Sequence, residues 1–554
     1  MTKDLIDGGD WDCIVIGAGS AGATLAARLS EDPALHVLLV EAGGSHRRAA
    51  VDMPAGWGAM QHDPRYSWGH RTEPERWAGG RRIHVPRGRL LGGSSSINGM
   101  LYVRGHRLDY DGWVEQGAAG WGWDDLLPYF MRTEDQHSLD GGLHGRGGVL
   151  TAADIEPVHP ISRAMVEAAV QAGLRRTADF NDGEPQGAGL YQVNVDRGRR
   201  ASVARNALEP ALRRPNLRLE SRALVERIEL RDGAACGIAY RRHDGSVVRA
   251  AARREVLLCA GALASPQLLM LSGIGPGAHL QELGIAVQQD LPGVGQNLQD
   301  HPLAPMTWRL KPGTPSLNSH LRGFGLVGSV LRYLLTRSGP MKLPASEFGA
   351  YLRSDPALPC DDIQVFGLPV TGDVEGNMEG KAASADAFPG MTLAPYPLRP
   401  WSRGSLWLRE PHAQALPAFR FNFLDDERDR RTLLWGLRWL RGMARQPALA
   451  GLVEAETRPG PGVESDAEWL AWIAPVLTTG HHAVGSCRMG RADDDGAVVT
   501  PDLKVRGVDR LRVIDASVMP RLISGNTNAT AVVIGDKGAD LVLGRAAPPP
   551  LHIA

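Results

Sequence analysis

Apolar residues fall into two rhythms along this chain, and the switches between them mark its elements. Cys13-Ile-Val-Ile16 and Val37-Leu-Leu-Val40 are unbroken apolar runs of strand length, while Leu25-Ala-Ala-Arg-Leu29 between them repeats at helical spacing. That order predicts strand, helix, strand over 12–41. Leu217–Glu220, Ala223–Leu230 and Cys236–Tyr240 alternate like strands, with Asp232-Gly233 as a hairpin turn. Glu255–Gly261 reads as a buried strand entering a turn. Ser265-Pro-Gln-Leu-Leu-Met-Leu271 predicts a helix capped by Ser265, with Pro266 in its first turn. Short helices are expected over 121–131 and 160–172, and an exposed loop over the Gly- and His-rich 135–150. From about 303 to 470 prolines multiply, strand-like runs appear at 362–366 and 404–408, and a helix is expected near 429–444. Leu511–Pro520 reads as strand then turn, and an apolar helix starts near Ala529.

With 554 residues the chain exceeds one simple core, so two domains are expected. No internal repeat is visible. The fold class is α/β (α+β overall). A Rossmann-type domain is assembled from discontinuous segments, 1–155, 200–302 and 475–554. An inserted domain built on an antiparallel sheet takes 156–199 and 303–474.

Charge narrows the partners. A formal net charge of −1 gives no global field that points to nucleic acid or an acidic membrane. The five cysteines show no paired or metal-ligand spacing. Cys13 and Cys259 sit in apolar runs as buried thiols, which suits a reducing cytoplasm. The first ten residues lack the basic start and apolar core of a signal peptide. No apolar run reaches the roughly 18 residues of a spanning helix. The stretch Phe324–Leu335 is amphipathic. It is read as a helix packed over the core or lining an entrance, with contact at a membrane surface as the alternative.

The chemistry begins with Gly17-Ala-Gly19-Ser-Ala-Gly22 between the first strand and helix. Gly17 permits the tight turn, Gly19 lets backbone approach a pyrophosphate, and Gly22 lets the helix pack on the strand. The helix N-terminus offers free N–H groups to phosphate. Glu41, ending the second strand, can accept from ribose hydroxyls and would repel a 2′-phosphate. The motif binds an adenine dinucleotide, without separating NAD from FAD. Arg87–Met100 packs Gly92, Gly93, Ser94, Asn98 and Gly99 among Leu90, Leu91, Ile97 and Met100, which suits a flat ring or pyrophosphate better than a linker. His481 and His482 precede a glycine-bounded loop, and Asn526 stands before the last helix. Histidine can take a proton near neutral pH. It also serves in such loops as a structural hydrogen-bonding group, and the residues leave both roles open. Adjacent histidines point apart, and no paired carboxylate follows, so no metal site is expected.

Taken together, these motifs resemble the glucose–methanol–choline (GMC) oxidoreductase family of FAD enzymes. The resemblance runs through Gly88–Gly105, Gly261–Gly275, Gly293–Pro302 and His482–Gly490, nearly the whole chain. It is nearest to the choline dehydrogenase-like branch. The resemblance implies FAD rather than NAD, with His482 as catalytic base and Asn526 as its partner. It implies cofactor contacts from Gly17, Gly19, Ser20, Ala21, Gly22, Glu41, Ala42, Arg89, Gly92, Gly93, Ser94, Asn98, Gly99, Met100, Leu101, Val225, Asp515, Ala516, Asn526 and Thr527. Relatives that hold flavin covalently use a histidine where Ile97 stands, so FAD is expected to be non-covalent. The family's usual proline after the base is Ala483 here. The implied reaction moves hydride from a primary alcohol to flavin N5, giving an aldehyde and passing electrons to a quinone or other non-oxygen acceptor. The alternatives are an oxidase using dioxygen, choline dehydrogenase proper, a cyanohydrin lyase, and a flavin scaffold without turnover. Glu347 is a carboxylate that could greet a cationic head group, or a structural or rim group. Cytoplasmic residence completes the expectation, with peripheral contact to the inner membrane as an open alternative.

Overall fold

A computed structural model describes residues 6–372 and 384–552. Residues 1–5, the start of the stretch that lacks a signal-peptide pattern, lie outside them. Two sheets organise the chain. The first runs Leu217–Ser221, Val37–Glu41, Ile6–Ile16, Val247–Leu258, Ala234–Arg241, Leu224–Arg231, with Leu511–Val513 also on Val247–Leu258. The neighbours of Ile6–Ile16 are parallel to it, and the hairpin edge is antiparallel. At the hairpin turn, Asp232 and Gly233 both have positive φ (51° and 78°), the twist a tight hairpin requires. This is the Rossmann-type layer, drawn from the start, middle and end of the chain.

The second sheet is antiparallel, in the order Val453–Arg458, Met306–Leu310, Gly390–Pro397, Ile363–Leu368, Phe348–Leu352, Gly187–Leu190. Its residues come from the inserted segments. Helix Glu427–Ala444 covers one face with Leu433, Leu437 and Leu440 buried at helical spacing.

Close packing joins the first and last helices. Ser20–Leu29 lies against Asn528–Leu543, where a side chain on Gly535 would meet the Ala21 carbonyl at 2.3 Å. A side chain on Gly22 would strike the Gly17 carbonyl at 2.0 Å.

Two expectations are corrected. The helix assigned to Ser265 onward spans Gly261–Leu271. Ser265 lies inside it and does not cap it. Its hydroxyl accepts from the Ala260 N–H (3.1 Å) and donates to Asp515 (2.6 Å), a long-range partner that no local pattern encodes. The helix Gly323–Thr336 forms where the pattern placed it, but its apolar side faces outward instead of packing over the core.

Candidate active site

The His482 loop is placed by pairing on both sides. Thr478–Thr479 pairs antiparallel with Pro302–Leu303, and Val484 bridges to Gln299. The two pairings bring His301 alongside His482. Gly480 keeps them close, since a side chain there would press on His301 and on His482 Nδ1 at 3.0 Å. Buried Asp300 braces the backbone, accepting the N–H groups of His301 (2.7 Å) and His482 (2.8 Å) and the Thr479 hydroxyl. Burial pushes its carboxyl up to about 6, opposed by the Arg87 charge and these donors.

A directional relay follows. His301 Nε2 lies 3.0 Å from the Leu398 carbonyl, which can only accept, so that nitrogen carries the hydrogen. His301 Nδ1 is therefore a lone pair, and it faces His482 Nδ1 at 2.9 Å. His482 must carry its hydrogen on Nδ1. Its Nε2 is left as the basic lone pair, 3.0 Å from the Asn526 amide nitrogen. The Asn526 amide is oriented in turn. The Tyr396 hydroxyl donates to Gln364 Oε1, so Gln364 Nε2 donates to the Tyr191 hydroxyl (2.7 Å) and reaches Asn526 Oδ1 at 3.5 Å. Every donor meets an acceptor from Leu398 to Tyr396. Burial, then the neighbouring His301, His481 and Arg87, hold the His482 imidazole well below its ordinary pKa, so it is neutral with a free lone pair. His481 instead faces Arg87, His84 and His62, and burial drives it down to about 3.

This dyad opens on a cavity of about 490 Å³ that reaches the first βαβ turn. Its wall includes Gly17, Gly19, Ser20, Ala21, Glu41, Ala42, Gly93, Ser94, Asn98, Gly99, Met100, Leu101, Val225, Asp515, Ala516, Asn526 and Thr527. The cradle fits a dinucleotide. Gly17 has φ of 100°, and a side chain there would meet the Cys259 carbonyl at 2.6 Å. A side chain on Gly19 would project into open space, so the backbone itself faces the cavity. The helix beginning at Ser20 has no side-chain cap, which leaves its first N–H groups for an anion. Gly93 touches Gly19 from the other loop.

Other expected cofactor residues stand behind the wall. Gly22 packs helix on strand, and a side chain on Gly92 would meet the Ser96 hydroxyl at 2.3 Å. Arg89 stacks on Trp68 at 4.7 Å. Glu41 lines the cavity, yet its carboxylate already accepts from the Ala18 and Gly43 N–H groups (2.8 and 2.7 Å), leaving only its remaining lone pairs for a ribose. Asp515 likewise accepts from Gly261, Ser265 and Ser517. Glu347 is not on the wall. It turns towards helix Pro160–Gln171, accepting the His159 N–H at 3.1 Å, and burial raises its pKa.

Sequence reasoning missed His301, Gln364, Tyr396 and Arg200. Buried Arg200 donates to the Asn98 carbonyl (2.6 Å) and amide oxygen (2.8 Å), fixing that side chain at the wall. Asp300-His301 was visible as part of a motif, without a role. Nothing local marks Gln364, which looks like one polar residue in a strand.

Two family models for GMC oxidoreductases match residues 11–303 and 400–535. The chain belongs to the GMC oxidoreductase family. Among curated relatives, an oxygen-dependent choline dehydrogenase of Rhizobium johnstonii is 41% identical over 536 residues, covering 96% of each chain. Another, from Photobacterium profundum, is 38% identical, covering 96% of this chain and 93% of its own. Among solved structures, pyridoxine 4-oxidase from Mesorbium loti superposes with a TM-score of 0.86 at 34% identity, covering 97% of this chain and all of that one. A formate oxidase superposes with 0.90 at 27% identity over 98% and 99%. This GMC protein is an FAD-dependent oxidoreductase acting on CH–OH donors. At the covalent-attachment position, buried Ile97 has no nucleophile to offer FAD.

Proposed function

We propose that this enzyme oxidises an uncharged primary alcohol with an apolar body to the aldehyde. His482 Nε2 takes the hydroxyl proton and the Asn526 amide donates to the developing alkoxide. The relay from Leu398 to Asn526 is the observation that carries this reading. FAD, when bound, would supply the hydride acceptor, and the acceptor proposed for its electrons is a quinone or similar non-oxygen compound. The chain's own residues orient the alcohol, exclude water and hold the proton. We assign 1–155, 200–302 and 475–554 to holding FAD, and 156–199 and 303–474 to shaping the substrate chamber, a division supported by the separate origins of the two sheets.

The wall favours an apolar substrate. Leu101, Leu303, Pro305, Phe366, Leu368 and Ala394 line it, and its only carboxylates among the described residues are Glu41 and Asp515, both tied down by backbone donors. A cationic head group finds no free counter-charge. Choline is the second reading, favoured by the 41% identity to choline dehydrogenases, with the Trp57 and Phe366 rings available for cation–π contact. A panel of aromatic, aliphatic and cationic alcohols with a dye acceptor, beside an oxygen electrode, separates substrates and acceptors. His482→Ala should retain FAD and slow anaerobic bleaching of the flavin by two to four decades, about the scale for losing a positioned proton acceptor. Bleaching at wild-type speed would refute the assignment. We place the enzyme in the cytoplasm, peripheral to the inner membrane, a contact supported by the outward apolar side of the helix Gly323–Thr336; no described helix is long and apolar enough to cross a membrane.

A further inference from the structure

We propose that the helix Gly323–Thr336 seats this enzyme on an anionic lipid bilayer, an inference that rests on the peripheral location above and names its surface. The helix is amphipathic in the opposite sense from a core helix. Phe324 is 96% exposed, Leu335 84%, Val327 56%, Leu331 54% and Leu334 44%. At 100° per residue these positions, with Gly328 between them, form one continuous outward stripe. Elsewhere exposed large apolar residues stand singly, as at Leu108 or Trp401.

The opposite face anchors the helix to the protein. Tyr333 is buried, and its hydroxyl donates to the carbonyls of Asp52 (2.9 Å) and Gly198 (3.0 Å). Its ring packs with Met53 and Met341. The stripe is therefore presented by a helix already held in place.

Charge identifies the occupant. No Asp or Glu occurs between Asp300 and Glu347, whereas Arg322, Arg332, Arg337 and Lys342 surround the helix. None of the four pairs with a carboxylate among the described residues. Arg332 reaches the Ser338 hydroxyl, Arg337 lies over the Tyr333 ring, and Lys342 donates to the Glu156 carbonyl. An apolar stripe inside a cationic rim matches acyl chains below anionic head groups. A second copy would bring the same cationic rim against itself. At 14 residues the helix is about 21 Å long, short of a span and suited to lying in the interface plane. Met53 and Ala55, packed with Tyr333 beneath the helix, lie a few residues before Trp57 and Gln61 of the cofactor cavity wall.

Flotation of the FAD-loaded enzyme tests this. Vesicles of phosphatidylcholine alone are compared with equal parts phosphatidylcholine and phosphatidylglycerol, at low and high salt. Wild type should float with the anionic vesicles, and on the order of tenfold less with phosphatidylcholine or at 1 M salt, where the Debye length is about 3 Å. The triple variant Phe324→Ser, Leu331→Ser, Leu335→Ser should stay unbound, with flavin content and dye-linked turnover unchanged. Arg322→Glu with Arg332→Glu should lose the preference for anionic vesicles. If wild type and the triple variant float equally, the helix is not the seat, although the peripheral location stands. If wild type does not float at all, both fall. A concentration-dependent dimer that the triple variant abolishes would make the stripe a self-interface and overturn the proposal.

Discussion

The relay makes the tautomer of His482 depend on a residue that touches neither Asn526 nor the open cavity. In the working tautomer two hydrogen bonds are made, Nδ1–H to His301 (2.9 Å) and the Asn526 amide to Nε2 (3.0 Å). In the other tautomer, His482 Nδ1 faces a lone pair of His301 and its Nε2–H faces an amide N–H. Both bonds are lost together. The Asn526 amide cannot simply turn over, because Gln364 Nε2 then faces a second donor. At 0.5–1.5 kcal/mol for each net hydrogen bond, the preference is about 1–3 kcal/mol. His301→Phe preserves the ring that packs, tilted by 35°, against Tyr396 at 4.6 Å and removes the lone pair. It removes one of the two bonds, about 0.5–1.5 kcal/mol, and should slow anaerobic flavin bleaching by about 2- to 13-fold, since 1.36 kcal/mol is a decade. Substrate affinity read from the concentration dependence should change little. His301→Asn can set Oδ1 near the place of Nδ1 and should recover most of the rate. Wild-type bleaching in His301→Phe, or equal loss in both variants, would refute the reasoning.

Gln364→Leu frees the Asn526 amide to turn, and bleaching should slow by about fivefold, at roughly 1 kcal/mol for one orienting bond; an unchanged rate removes Gln364 from the relay. Gly17→Ala and Gly19→Ala should separate folding from cofactor binding. The first forces φ of 100° and a 2.6 Å contact on a side chain, costing about 1–3 kcal/mol, and should lower the apoprotein melting temperature. The second fills only the cradle, leaving apoprotein melting unchanged and FAD retention reduced, as measured by flavin absorbance after gel filtration. Acid should destabilise the fold through buried neutral histidines. Burial holds His70 and His481 down to about 3, and His84 and His301 down to about 4, from 6.5. The unfolded chain binds these protons below pH 6.5 and the native chain does not, so stability is lost as pH falls from 6.5 towards 4. Each histidine contributes about 1.4 kcal/mol per pH unit in that window. Denaturant melts at pH 7 and 5 check the sign, and a higher midpoint at pH 5 contradicts it.

Local pattern by itself determined the βαβ unit, the glycine cradle, the hairpin at Asp232-Gly233 and the helix before the C-terminus. Each depends on spacing within a few residues. Burial period, turn conformation and a helix N-terminus are properties of short segments. The resemblance carried by the longer motifs implied FAD and singled out His482 and Asn526, which the fold brings to 3.0 Å of each other. Tertiary structure decided what lies between those points. Ser265 looked like a helix cap because Ser-Pro begins many helices, yet its partner is Asp515, far along the chain. Glu347 stood in the inserted segments as a possible counter-charge, but strand Phe348–Leu352 begins right after it and turns it towards His159. The stretch Phe324–Leu335 declared its amphipathicity, while only packing through Tyr333 decided that the apolar side faces out. The hydrogen-bond polarity around His482 was the least legible. It is set by a backbone carbonyl at Leu398, a histidine from another segment and a glutamine from the second sheet. Hydrogen-bond polarity passes through space from donor to acceptor, and it acquires a sequence address only when the chain has folded.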